Sequence, residues 1–96
     1  MKTKIGLALV LGSMVASTTL CAQNTPAAAL LALSKKDHTL AIVDPATLKV
    51  IARVPVGNDP HEVIASADGE TAYVSNYGFG AYNTLAVVDL IGQKAL

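Results

Sequence analysis

From residue 28 onward, apolar runs of about four to seven residues alternate with turn-forming clusters. The runs are Ala28–Ser34, Thr39–Asp44, Val50–Val56, His61–Ala65, Thr71–Asn76 and Thr84–Asp89, with a last short one beginning near Lys94. Between them lie Asp44-Pro45, Gly57-Asn58-Asp59-Pro60, Ala67-Asp68-Gly69 and Tyr77-Gly78-Phe79-Gly80. Each cluster has a mechanism for turning the chain. Proline presets φ, glycine admits positive φ, and Asp or Asn bonds its own backbone. No stretch after residue 23 carries a convincing helical period, so the pattern predicts an all-β chain.

The pattern also repeats. His38–Asp44 lies over Asn83–Asp89 at a spacing of 45, and continuing the register pairs Lys49 with Lys94. Six of the 14 aligned positions in 38–51 and 83–96 are identical. Upstream, Leu33-Ser34 aligns with Val74-Ser75, which leaves four extra residues in the second loop. Several short strands per period of ~40–45 residues read as β-propeller blades of four antiparallel strands. One unit then has strand A at His61–Ala65, B at Thr71–Asn76, C at Thr84–Asp89 and D from Lys94. The preceding unit offers B (Ala28–Ser34), C (Thr39–Asp44) and D (Val50–Val56).

These stretches resemble a known family. Ile42-Val43-Asp44-Pro45-Ala46-Thr47, Val54-Pro55-Val56-Gly57, Pro60-His61-Glu62-Val63, Ser66-Ala67-Asp68-Gly69 and Tyr73-Val74-Ser75-Asn76 are similar to the YVTN-type β-propeller repeat, with Ser75 where the signature has Thr. The resemblance spans roughly residues 30–96. It implies an exported propeller, seven-bladed when complete, that serves as a binding or scaffolding module. On this reading residues 23–29 are a short lead-in, and 30–57 and 58–96 are two partial blades. A propeller needs ~4–8 blades, so the expectation is an N-terminal fragment of under two blades.

The first 22 residues do not join this pattern. Lys2 and Lys4 precede an apolar stretch from Ile5 to Leu20, and Ser17–Ala22 is small and mildly polar. That order predicts a secretory signal peptide cleaved after Ala22. The apolar stretch is 16 residues, short of the ~20 a spanning helix needs, so no membrane span is expected after cleavage. An uncleaved N-terminal anchor is one alternative, and a lipid anchor on Cys21 is another. The expected location is the bacterial periplasm or the exterior. Lys plus Arg and Asp plus Glu are 7 each, so the net charge is zero. No basic cluster marks a nucleic-acid binder. Cleavage would leave 5 basic and 7 acidic groups, a net charge of −2.

In an antiparallel blade the D-to-A and B-to-C loops share one end. That end is expected to hold the ligand-binding candidates Asn58, Asp59, His61, Tyr77, Tyr82 and Asn83. Three of the chain's four aromatics lie in the second B-to-C loop. Aromatic rings beside Asn and Asp suit a small polar ligand or a peptide. His61 could ligate a metal or carry a proton, or it could bond a neighbouring loop. Strand alternation places Glu62 on the opposite side from His61. Lys35-Lys36 reads as a solvated hairpin tip. Asp44 and Asp89, at matched positions, could form a carboxylate ring for calcium or cap their own turns. Asp68-Gly69 reads as a hairpin turn, and Gly57 as a backbone device. No phosphate-binding glycine loop, Cys pair, HExxH or GxSxG is present.

The function expected is therefore non-catalytic, with no cofactor. The partner is a protein or small polar ligand of the cell envelope, met through the D-A/B-C loop face. Pro60-His61 with Asn76–Gly80 also resembles seven-bladed lactonases, which gives a hydrolase alternative. His61 with Ser66–Gly69 resembles haem-linked redox propellers, which gives a lower one.

Overall fold

The computed structural model describes residues 23–81 and 83–96. The expected signal segment, Cys21 and Tyr82 lie outside the described residues. Seven strands follow one another: β1 (Leu30–Ser34), β2 (Thr39–Val43), β3 (Val50–Pro55), β4 (Pro60–Ala65), β5 (Thr71–Asn76), β6 (Thr84–Asp89) and β7 (Lys94–Ala95). A 3₁₀ turn at Gly78–Gly80 precedes β6. The described residues are all-β, and the strand bounds fall within two residues of those the apolar runs predict. Valine, isoleucine, leucine and tyrosine fill the strands because their side chains pack well on a pleated surface.

The strands form two antiparallel sheets, ordered β1-β2-β3 and β4-β5-β6-β7. Each is a meander in which sequence neighbours pair. Residues 56–59 carry the chain from edge strand β3 to β4. The sheets pack face to face, with β1 against β4 and β3 against β7. Alternation along the strands sends Leu40, Ile42 and Val54 inward from the first sheet, and Ala72, Val74 and Val88 from the second. Leu90 closes the core at one end.

The pairing corrects the repeat upstream. Ser34 pairs with Thr39, and Asn76 pairs with Thr84. Ser34 is therefore equivalent to Asn76, and Leu33 to Ser75. The second loop is longer by three residues, not four. The apolar match of Leu33 with Val74 is attractive in sequence, but the hydrogen-bonded ladder decides register. The spacing of 45 holds across β2/β6 and continues into the next turn, where Leu48 and Gln93 both take positive φ, 62° and 58°.

The lead-in is tied down at one end of the pair. The Thr25 hydroxyl donates to the Leu90 carbonyl. Gln93 Nε2 donates to the Gln23 carbonyl at 2.8 Å and to Thr25 Oγ1 at 3.1 Å. Residues 23–25 thus reach the second sheet before the chain enters the first.

Candidate functional site

At the end shared by the β1–β2, β3–β4 and β5–β6 loops, polar side chains from distant positions meet. Lys35 Nζ lies 3.0 Å from Asp59 Oδ1 and 2.9 Å from His61 Nε2. His61 Nε2 is 3.2 Å from the same carboxylate oxygen. The His61 and Tyr77 rings stack with centroids 4.0 Å apart and planes 8° from parallel. Tyr77 Oη donates to Glu62, 2.9 Å from Oε2, and the Ser75 hydroxyl also donates to Glu62. The result is one chain of contacts: Lys35, Asp59, His61, Tyr77, Glu62, Ser75.

Local backbone features build this array. Pro60 pairs with Asn76, but Glu62 pairs with Ser75, so His61 is an extra residue in a β-bulge. A bulge bends its strand and re-aims a side chain. It also corrects the expectation that Glu62 turns away from His61. Strict alternation stops at the bulge, and both residues reach Tyr77, one by its ring and one by its hydroxyl. Asp59 holds φ at 58°, a region short polar residues tolerate better than most. Two backbone bonds lock its loop to the next: Tyr77 N to the Asp59 carbonyl at 2.9 Å and Gly78 N to the Asn58 carbonyl at 3.1 Å.

Gly57 supports the same loop. Its φ is +137°, and a Cβ there would sit 2.8 Å from Asn76 Nδ2. Asn76 is 1% exposed. It donates to the Val56 carbonyl at 3.1 Å and to Thr84 Oγ1 at 3.2 Å. The buried amide therefore ties the β3–β4 connection to β6.

The electrostatics follow from these contacts. The hydrogen bond from Lys35, with the charges of Lys35 and His61, holds the Asp59 carboxyl below its ordinary value. Glu62 is lowered by its hydrogen bonds from Ser75 and then Tyr77. Tyr77 is raised, because its proton is held by Glu62. His61 Nε2 can serve one neighbour at a time. As a bare acceptor it takes a proton of Lys35; as an N–H it donates to Asp59. The Asp59 side chain is 12% exposed, whereas that of Lys35 is 57% exposed. The outward surface thus offers an ammonium, an imidazole, a phenol and the exposed Glu62 carboxylate, with the Asp59 carboxylate behind them.

Of the sequence candidates, Asp59, His61 and Tyr77 are brought together. Asn58 contributes its carbonyl to the loop lock, and Asn83 is exposed ahead of β6. Lys35 and Glu62 belong to the array but were not among the expected ligand residues. Lys35 is more than a solvated hairpin tip, because it reaches a carboxylate 24 positions away. Only the sharing of one end by these loops pointed toward it.

The other candidates stay local. Asp44 Oδ1 accepts from Ala46 N at 2.8 Å. Asp89 Oδ1 accepts from Ile91 N at 3.0 Å and Gly92 N at 2.9 Å. Asp68 Oδ1 accepts from the Ser66 hydroxyl at 2.6 Å and Glu70 N at 3.0 Å. Its carboxyl is lowered, first by Ser66. Gly69 follows with φ of +76°. Among the described residues, no three His, Cys, Asp or Glu side chains gather to hold a metal. A cleft of about 260 Å³ lies at the lead-in, lined by Thr25, Pro26, Leu31, Ala65, Gly69 and Leu90. The Thr25 hydroxyl there is already engaged. Comparison with known protein families, curated proteins and solved structures found no match to the chain.

Proposed function

We propose that the chain is part of an exported β-propeller of the YVTN type, seven-bladed when complete. It serves as a non-catalytic binding or scaffold module in the periplasm or outside the cell. The repeat motifs and the two meander sheets packed in the same strand order support the propeller reading. The binding reading rests on one observation: three loops converge to present Lys35, His61 and Tyr77 outward, with Asp59 buried behind them and the exposed Glu62 bonded to Tyr77. Such a surface offers hydrogen-bond donors beside an aromatic stack. It suits a small polar ligand, or a segment of an envelope protein, that brings acceptor oxygens.

The test is differential capture from an envelope extract. The wild-type chain is expected to retain a partner or ligand that the Lys35→Ala/Tyr77→Ala variant releases. Equal retention by both would overturn the site. Turnover of a simple lactone would replace the binding reading with a hydrolase.

A further inference from the structure

Lys35, Asp59 and His61 form a triangle in which one corner can change its chemistry. Lys35 Nζ lies 3.0 Å from Asp59 Oδ1 and 2.9 Å from His61 Nε2, and those two atoms are 3.2 Å apart. An ammonium has donors only, so its contact with the ring requires a bare Nε2. The neutral ring therefore carries its proton on Nδ1. Two acceptors then face each other across 3.2 Å, and the Lys35 ammonium is the donor that reconciles them.

Protonation of the ring reverses this. Nε2 becomes an N–H that donates to Asp59 Oδ1, and Lys35 is left with a second cation 2.9 Å away and no acceptor on the ring. One of the two must move. His61 is fixed, because the bulge aims it and its ring stacks on Tyr77 at 4.0 Å. An imidazolium also gains from that aromatic face. Lys35 is the looser partner. Its side chain is 57% exposed, against 32% for His61, and its strongly hydrated ammonium rides on a flexible stem. The other titratable groups about the ring are Glu62 on β4 and Tyr77 after β5, and these are engaged with each other.

We propose that His61 is a proton-operated latch on Lys35. The neutral ring keeps the ammonium folded onto Asp59; the imidazolium takes Asp59 for itself and turns the ammonium outward, where it binds an oxyanion group of the ligand. The proposal rests on the reading of the loop end as a binding surface, and it states when that surface accepts an anion. The charge of the site moves the same way. With a neutral ring one cation faces two carboxylates, and with an imidazolium two cations face two, so the net charge goes from −1 to zero. Oxyanion binding should therefore strengthen as pH falls through the range in which imidazoles gain charge, about pH 8 to 5.

NMR of the isotope-labelled chain tests the latch and the binding separately. At about pH 8 the His61 nitrogens should show the Nδ1–H tautomer, and at about pH 5 the doubly protonated ring. Across that transition the Lys35 Cε resonance should move in step with His61, while Lys36 stays in place. An Nε2–H tautomer at the higher pH, or a Lys35 that ignores His61, would overturn the latch. Sulfate is the binding probe, because its charge is constant over this range. It should bind at Lys35 roughly tenfold more tightly at the lower pH, as one hydrogen bond to a charged group provides, with Lys36 reporting diffuse attraction. His61→Gln keeps an acceptor for Lys35 but never gains charge, so its sulfate affinity should be the same at both pH values. Lys35→Met should lose the pH response as well, with His61 still titrating. A full pH response in His61→Gln would overturn the latch. No sulfate binding at Lys35 at the lower pH, with Lys35 and His61 still moving together, would instead overturn the loop end as a binding surface.

Discussion

The two ends of the sheet pair use carboxylates in opposite ways. At the end carrying the β2–β3, β4–β5 and β6–β7 turns, Asp44, Asp68 and Asp89 bond backbone or side-chain groups two or three residues away. At the other end Asp59 bonds Lys35 across 24 positions, and Glu62 bonds Tyr77 across 15. The first arrangement closes turns within the span of each loop. The second joins separate loops into one surface. Acidic residues thus serve local geometry at one end and assembly of a site at the other.

The comparison can be broken at its hinge. Gly57→Ala should destabilise the fold by about 2 kcal/mol, because a strained positive φ costs about 1–3 kcal/mol and the added Cβ meets Asn76 at 2.8 Å. A lowered midpoint in urea denaturation checks this, and an unchanged midpoint would show that the loop end is not tied through Asn76. Next in size, Asp89→Ala should cost about 1 kcal/mol through its two backbone acceptances. NMR should show the change confined to the β6–β7 turn, with the His61–Tyr77 stack undisturbed. Spread of the change to the loop end would erase the contrast.

Acid should act on both ends together. Asp59, Glu62 and Asp68 all have lowered folded-state values. A lowered carboxyl contributes stability that is present above its unfolded value and lost as pH falls through the folded one. Stability should therefore be flat near neutrality and decline once the pH drops below the ordinary carboxylate range. A denaturation midpoint that rises on acidification would contradict the assignments. Tyr77, raised by Glu62, has the reverse sign. Its contribution is present below the ordinary phenol value and lost as pH rises through the folded one.

The smallest effect sharpens the comparison most. Lys35→Met should barely change stability, since exposed pairs contribute ~0–1 kcal/mol. It should nevertheless move the Asp59 titration upward, toward its ordinary value, while Asp68 stays in place. Carboxyl carbon NMR titration resolves the two. Equal movement of both would mean that Lys35 acts as diffuse charge and makes no specific contact.

Local physics explains what could be read in advance. Strand positions followed from apolar runs, and the turn roles of Asp44, Asp68 and Asp89 need only neighbours within three residues. The loop end was legible as a place, because alternate turns of a meander share an end. Its wiring was not. Lys35 and Asp59 are joined only by packing of the two sheets. The bulge at His61 is a property of the β4–β5 register, and no residue type there announces it. The misplacement of Leu33 over Val74 has the same origin: similarity of side chains is a weaker constraint than the pairing of backbone groups.

The bulge carries an evolutionary consequence. His61 is the one residue of β4 that the ladder does not use, so its deletion would leave Pro60 opposite Asn76 and Glu62 opposite Ser75. A single-codon loss could remove the centre of the loop-end array while the sheet beneath stays in frame. Gain is equally short. A plain strand of this repeat needs one inserted codon to acquire the outward-turned imidazole, so the binding feature and the scaffold can be inherited, lost and regained separately.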